Sequence, residues 1–276
     1  LEKNKDLPEF NGYKDIVLKK TFELSQYIEE LSARSTLIRS GKVRRTVDNM
    51  LKVTTDGRLA ALDLRLVDPN TKQNKIFSKV YSCAERVCDL YIKTNFTKAT
   101  QLIFCDCSTP KEGFNIYDEL KGALLMFGIK SSEIAFIHEA KTENQRQRLF
   151  DKVNNGEIRI LIGSTFKLGL GVNVQKKLIA IHHLDVPWRP ADMIQREGRI
   201  IRQGNENKEV FIYRYIQEAS FDAYSWQLLE TKQKFIDELL ANSISVRSVL
   251  DVSDIVLNYG EVKALAIGNM RLRERF

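Results

Sequence analysis

The run Gln195-Arg196-Glu197-Gly198-Arg199-Ile200-Ile201-Arg202-Gln203-Gly204 concentrates the chemistry that this chain could perform. Arg199 and Arg202 stand three apart, so on a helix they share a face, and Gln195, four before Arg199, joins them. Two guanidiniums fixed side by side can clamp phosphate oxygens while charge develops on a transferring phosphoryl group. Arginine suits that task better than lysine, because its fork is planar and always charged. Spacing alone leaves a second reading open, a solvated basic helix face. The other candidate is Gly163-Ser164-Thr165-Phe166-Lys167-Leu168-Gly169-Leu170-Gly171-Val172-Asn173, directly after the apolar run Ile160-Leu161-Ile162. A glycine-bearing loop at the carboxyl end of a parallel strand is where open α/β sheets hold ligands. Glycine lets backbone amides approach phosphate there. By itself the loop is equally a tight turn.

These segments need elements to position them, and the pattern supplies an alternation. Short apolar runs at 101–105, 133–138, 159–164, 177–185 and 209–216 read as strands of a buried parallel sheet. Helical stretches fall between them. One runs from Ile116 to Phe127 and ends at Gly128; another follows Thr142, a candidate N-cap, and stops at Asn155-Gly156; a third opens near Pro190. Strands alternating with helices predict an α/β fold, a parallel sheet with helices on both faces. Residues 1–98 read as a mostly helical lead-in, with apolar positions from Ile16 to Leu31 near helical spacing and Asp56-Gly57 as a turn signal. Residues 99–220 form the α/β lobe, and 221–276 a helical tail with one apolar side.

Composition narrows the class. With 276 residues, 43% hydrophobic and 29% charged, the chain reads as a soluble globular protein, neither disordered nor membrane-embedded. No apolar run approaches the length of a spanning helix, and the first ten residues have no signal-peptide core, so a cytoplasmic location is expected. The net charge of +7 favours a polyanionic partner such as nucleic acid. The four cysteines, Cys83, Cys88, Cys105 and Cys107, form no CxxC pair and have no nearby histidine in sequence. They read as free thiols, and no metal site is expected.

The order of strands, glycine loop and arginine run resembles the second RecA-like motor lobe of superfamily-two helicases. The segments GLGVN and PWRPADMIQREGRIIRQG are similar to those of the Swi/Snf-like translocases. More narrowly, DNMLKVTTDGRLAALDLRL from Asp48, HHLDVPWRPADMIQREGRIIRQGN from His182, FDAYSWQLLETKQKFI from Phe221 and VKALAIGN from Val262 resemble the helicase–methyltransferase proteins of phages and conjugative elements. The resemblance extends from about Thr46 to Asn269. It implies that Gln195, Arg199 and Arg202 are the arginine-finger motif, reaching ATP and Mg held mainly by a first lobe. It implies that Gly169, Gly171 and Asn173 face the nucleotide, and that Ser164, Thr165, Ser108, Lys111 and Arg146 lie against the DNA backbone. Many helicases carry Asp where Asn173 stands, so this chain has no carboxylate there for a ribose contact.

The partners implied are DNA, a first RecA-like lobe of the same polypeptide, and a methyltransferase domain. ATP hydrolysis in this class needs a GxxxxGK[ST] loop and an acidic magnesium motif. Neither is present, and neither is an NPPY or DPPY methyltransferase motif. The expectation is therefore half of a DNA-dependent ATPase that does not hydrolyse ATP unaided. The alternative is a non-catalytic DNA-binding or scaffolding module of a DNA-modification complex. Arg34, Arg39, Lys42, Arg44 and Arg45 form a basic cluster, read either as a DNA or partner-lobe contact or as a solvated face. His182 and His183, with Asp185 nearby, read as packing residues or as part of a metal or acid–base site, packing being favoured, and Trp188 either packs beside Pro187 and Pro190 or stacks on a base or adenine.

Overall fold

The computed structural model describes residues 7–72, 74–169, 173–241, 261–262 and 265–266. Gly171 and much of the tail beyond Ala241 lie outside them. Among the described residues six strands form one sheet: β1 (Glu9–Leu18), β2 (Thr100–Phe104), β3 (Ile134–Phe136), β4 (Ile160–Gly163), β5 (Leu178–His183) and β6 (Glu209–Gln217). Their order is β1-β6-β5-β2-β4-β3, and every pairing is parallel. The helices are α1 (Phe22–Arg39), α2 (Met50–Leu62), α3 (Lys79–Lys93), α4 (Ile116–Met126), α5 (Glu143–Asn155), α6 (Thr165–Gly169), α7 (Pro190–Glu197) and α8 (Phe221–Ala241). None is long and apolar enough to cross a membrane, among the described residues.

The chain divides into two compact units. The first comprises residues 1–16, 74–185 and 191–215, and the second residues 17–73, 186–190 and 216–276. In the first unit, β2 and β4 are buried along their whole length, which explains their unbroken apolar sequences. Side chains alternate across a sheet, so Leu102 and Phe104 point to one face and Gln101 to the other. Leu102 and Phe104 share a buried cluster with Phe150 and Val153 of α5, Leu168 of α6, and Ile200. Gln101 instead donates through Nε2 to the Val87 carbonyl of α3, at 2.9 Å. Helices therefore cover both faces, as the alternation predicts. Thr142 caps α5 in a reciprocal capping box with Gln145, where a hydroxyl followed three residues later by glutamine predicts one.

Two expectations fail. Residues 9–18, placed in a helical lead-in, are strand β1 at the sheet edge. Of the apolar positions read at helical spacing only Ile16 and Val17 fall here, the others lying on α1, and the strand is mostly exposed and held by polar contacts rather than an apolar face. Asn11 Nδ2 donates to Glu209 at 2.9 Å, and Arg214 grips Asp15 through two bonds of 2.6 and 2.7 Å. In the second unit, α2 runs straight through Asp56-Gly57, where a turn is expected. A Cβ at Gly57 would lie 2.5 Å from the Phe221 ring. The glycine serves close packing of α2 on α8, not chain reversal.

Candidate functional site

After β3 the chain returns one position to β4 and then passes over β2 to β5, so β2 lies at the reversal of strand order. Ligands of open α/β sheets bind beyond the carboxyl ends of strands at such a point. Here those ends carry Asp106 after β2, Ser164 and Thr165 after β4, and Asp185 after β5.

All three converge on Arg196 of α7, which is fully buried. Its Nε donates to the Thr165 hydroxyl at 2.7 Å. One terminal nitrogen donates to His183 Nδ1 at 3.2 Å and to the Asp185 carbonyl at 3.0 Å. The other donates to Asp106 at 2.7 Å and to the Asp185 carboxylate at 3.1 Å. All five N–H groups of the guanidinium are thus used. Burial opposes the charge of Arg196, but the adjacent carboxylates outweigh it and hold the group above its ordinary value. Burial likewise opposes the charge of Asp106, and Arg196 and Thr165 prevail, holding its carboxyl below the usual range. Asp185 also accepts the amides of Asp106 and Cys107. His183 Nδ1 faces a donor, so its Nε2 carries the proton toward Glu197, at 3.3 Å. Tyr13 of β1 donates to the other Glu197 oxygen at 3.0 Å. The network ties four strands to α7.

Arg199 and Arg202 do not share a helix face with Gln195. α7 closes at Glu197, where the Gly198 amide bonds to the Ile194 carbonyl at 2.8 Å, and one more four-residue bond, from the Ile201 amide to the Glu197 carbonyl at 3.2 Å, lies in the turn beyond it. Tighter turns follow, with the Ile200 amide on Glu197 and the Arg202 amide on Ile200, each at 3.0 Å. Glycine's low helix propensity favours this early ending, although the φ of Gly198 is not left-handed. The turn is still fixed: Arg196 roots it on one side, and Ile200, fully buried in the core cluster, pins it from within. Gln195 is exposed, while Arg199 and Arg202 are half-buried. Burial first, then the like charge of Arg202, pull Arg199 below its ordinary value. The two guanidiniums are therefore electrostatic neighbours although their helix has ended.

The remaining predicted residues sit around the same edge. Ser164 is buried, and its hydroxyl accepts the Lys167 amide at 3.4 Å, starting α6. Thr165 is committed inward: its amide and hydroxyl each donate to Asp106 at 2.6 Å. Ser108, also buried, accepts the Ile116 amide at 3.1 Å. Lys111 is exposed. Arg146 is half-buried on α5, 3.6 Å from Glu143. Gly169 ends α6. Asn173 is exposed and accepts Asn154 through its carbonyl at 2.7 Å.

His182 is a packing residue, fully buried between Gln101 and Tyr215, each at 2.9 Å. Trp188 packs in the second unit beneath the Arg58 guanidinium, 3.7 Å from its ring centre. Cys83, Cys88 and Cys105 are buried free thiols and Cys107 is half-buried. Asp106 and Arg196 were not singled out from sequence, and Asp185 only as the acid beside the two histidines. A usable signal exists, since each acid directly closes a strand too apolar to be anything but buried.

This geometry agrees with the comparisons. Residues 82–204 match the helicase conserved C-terminal domain.

The matched stretch contains the whole Arg196 network except Tyr13. The structure described as the C-terminal part of Fun30 ATPase domain aligns over 98% of this chain and 100% of that one, with TM-score 0.56 and 17% identity. At that identity the likeness speaks for the fold, a RecA-like α/β arrangement. Defense against restriction protein B of Escherichia phage P1 is 33% identical over 90 residues, 33% of this chain. The aligned stretch spans only 4% of that relative's length.

Proposed function

We propose that this chain is the second motor lobe of an ATP-dependent DNA translocase or helicase. Arg199 and Arg202 would reach ATP bound, with its Mg, by a first RecA-like lobe of the same polypeptide, and close onto the γ-phosphate when the lobes meet. Two half-buried guanidiniums on a rooted turn suit that chemistry, because donors fixed beforehand need no reorganisation as charge develops. Gly169, Gly171 and Asn173 would line the nucleotide side of the cleft, with Gln195 beside the fingers. ATP held there would supply the binding energy that closes the cleft, and the arginines would complete the site for phosphoryl transfer only once it is closed. Ser164 and Ser108 each accept one amide, so each hydroxyl keeps its own proton to donate to a DNA phosphate. Lys111 and Arg146 would add charge, and Thr165 would act from inside by holding the Ser164 loop on Asp106. A methyltransferase domain in the same polypeptide and a cytoplasmic site of action belong to the same reading.

The observation that carries this reading is the Arg199–Arg202 pair on a turn anchored by buried Arg196 at the strand-order reversal. Arginine fingers are worth about 10³–10⁵ in rate. In the full-length protein, Arg199→Ala or Arg202→Ala should therefore lower DNA-stimulated ATP turnover by about that much while DNA binding persists. Turnover equal to the parent's would remove the finger assignment and leave the scaffold alternative.

A further inference from the structure

The second unit carries a cationic surface that the arginine turn does not explain. Between residues 31 and 62 the only acids are Asp48 and Asp56. Arg34 takes both: its Nε and one terminal nitrogen hold Asp48 at 2.8 and 2.9 Å, and the other reaches Asp56 at 2.8 Å. That withdraws Arg34 from the basic cluster seen in the sequence and engages both carboxylates of the stretch, which keep one net negative charge between them. What is left exposed on the α1–α2 tip is Arg39, Lys42, Arg44, Arg45 and Lys52. No carboxylate pairs with Lys42, Arg44, Arg45 or Lys52 among the described residues.

The tip is also ordered at both ends. The Gly41 amide bonds to Ile38 at 3.1 Å and the Lys42 amide to Leu37 at 3.2 Å, a Schellman closure that requires the left-handed φ of 71° at Gly41. At the other end Asn49 accepts the Lys52 amide at 3.0 Å, capping α2, and its own amide group holds the Arg45 carbonyl at 3.1 Å. Folding explains only part of the charge. Arg39 and Lys42 sit at the negative end of α1, where cations are favoured. Arg44, Arg45 and Lys52 crowd the positive end of α2, whose first turn has no acid. Cations there cost stability, and an anion placed among them would relieve it.

We infer that the α1–α2 tip, centred on Lys42, Arg44, Arg45 and Lys52, is a second binding surface for the phosphate backbone of DNA. It is independent of the arginine turn and of the Ser164 edge. Preorganised cations on a fixed backbone make sequence-independent contacts, each adding about 0.9 to the dependence of log affinity on log salt for duplex DNA.

The test is duplex binding by the whole chain between 50 and 300 mM salt (conditions chosen to follow the slope). Three proteins are compared with the parent: K42E/R44E/R45E, K42R/R44K/R45K, and Lys111→Glu on the first unit. The reversed triple should lose on the order of tenfold or more in affinity, and its salt slope should drop by about two to three. The charge-conserving triple should bind and melt as the parent does, and the reversed triple should melt close to it, because the gain from acids at the positive end of α2 offsets the loss at the negative end of α1. An unchanged slope in the reversed triple overturns the inference. If Lys111→Glu alone weakens binding, the tip fails while the motor reading stands. A tip that binds polyglutamate as tightly as DNA at equal ionic strength also overturns it, in favour of an acidic protein partner.

Discussion

At the scale of residues, Arg196 is a charge sealed from water, tolerable only because two carboxylates, a hydroxyl, an imidazole nitrogen and a carbonyl take all its protons. Removing one partner of such a pair leaves the others buried and uncompensated, which generally costs about 3–5 kcal/mol. Arg196→Met should therefore lower the urea midpoint sharply, since Asp185 is almost as buried as the arginine. Asp106→Asn should do less, because Asp185 still neutralises the guanidinium. Equal unfolding curves for Arg196→Met and the parent would show that the network carries no structural load. The acids at the strand ends were legible locally, but their convergence on Arg196 was not. Arg196 lies 90 residues from Asp106 and 31 from Thr165, and no periodicity links acids at strand ends to an arginine on a later helix. What the sequence did carry was the run containing Arg199 and Arg202, together with the strands that lead to it.

At the scale of elements, legibility followed burial. β2, β4 and β5 are covered on both faces, so their sequences are nearly pure apolar runs and were located within a residue or two. β1 is an edge strand pinned by Asp15, Asn11 and Tyr13, and its polar alternation resembles nothing that pattern reading rewards. Arg199 and Arg202 were placed on a helix because three-residue spacing says so, but Gly198 releases the chain just before them. Gly57 misled in the opposite direction, and it yields a sign test. Propensity alone predicts that Gly57→Ala in α2 stabilises by about 1 kcal/mol. The Phe221 ring, 2.5 Å from where the new Cβ would lie, predicts overpacking of roughly 1–3 kcal/mol. The clash should win, giving a lower melting temperature, and pairing the change with Phe221→Leu should recover much of the loss. A melting temperature above the parent's would mean that the helices slide apart at little cost.

At the scale of the molecule, two buried histidines add to the acid response of depressed carboxyls such as Asp106. His182 donates through Nε2 to Gln101, whose amide is oriented by the Val87 carbonyl, and accepts from Tyr215. Burial, and then His183, push its pKa down to about 3 from an ordinary 6.5. Burial chiefly depresses His183 too, with Arg196 beside it and Glu197 pulling the other way. A base whose folded value is depressed binds its proton first in the unfolded chain. Stability is then complete above about pH 6.5 and declines as pH falls toward 3. Each histidine contributes at most ~1.4 kcal/mol per pH unit. Urea unfolding at several pH values should show this limb, and His182→Gln, which keeps a donor and an acceptor in place, should flatten it. A limb of the same steepness in the variant would assign the acid response to carboxylates instead.

Vectorial synthesis gives one further consequence. Strand β1 is translated first among the sheet strands, yet its partner is β6, with Asp15 meeting Arg214 across 199 positions. At about 5–20 residues per second, the ribosome needs roughly 10–40 seconds to deliver that partner. Closing so long a loop adds little at equilibrium, because its entropy grows only logarithmically. During those seconds, however, the backbone of β1 has no β6 to pair with. The strand made earliest cannot take its place before the strand made latest.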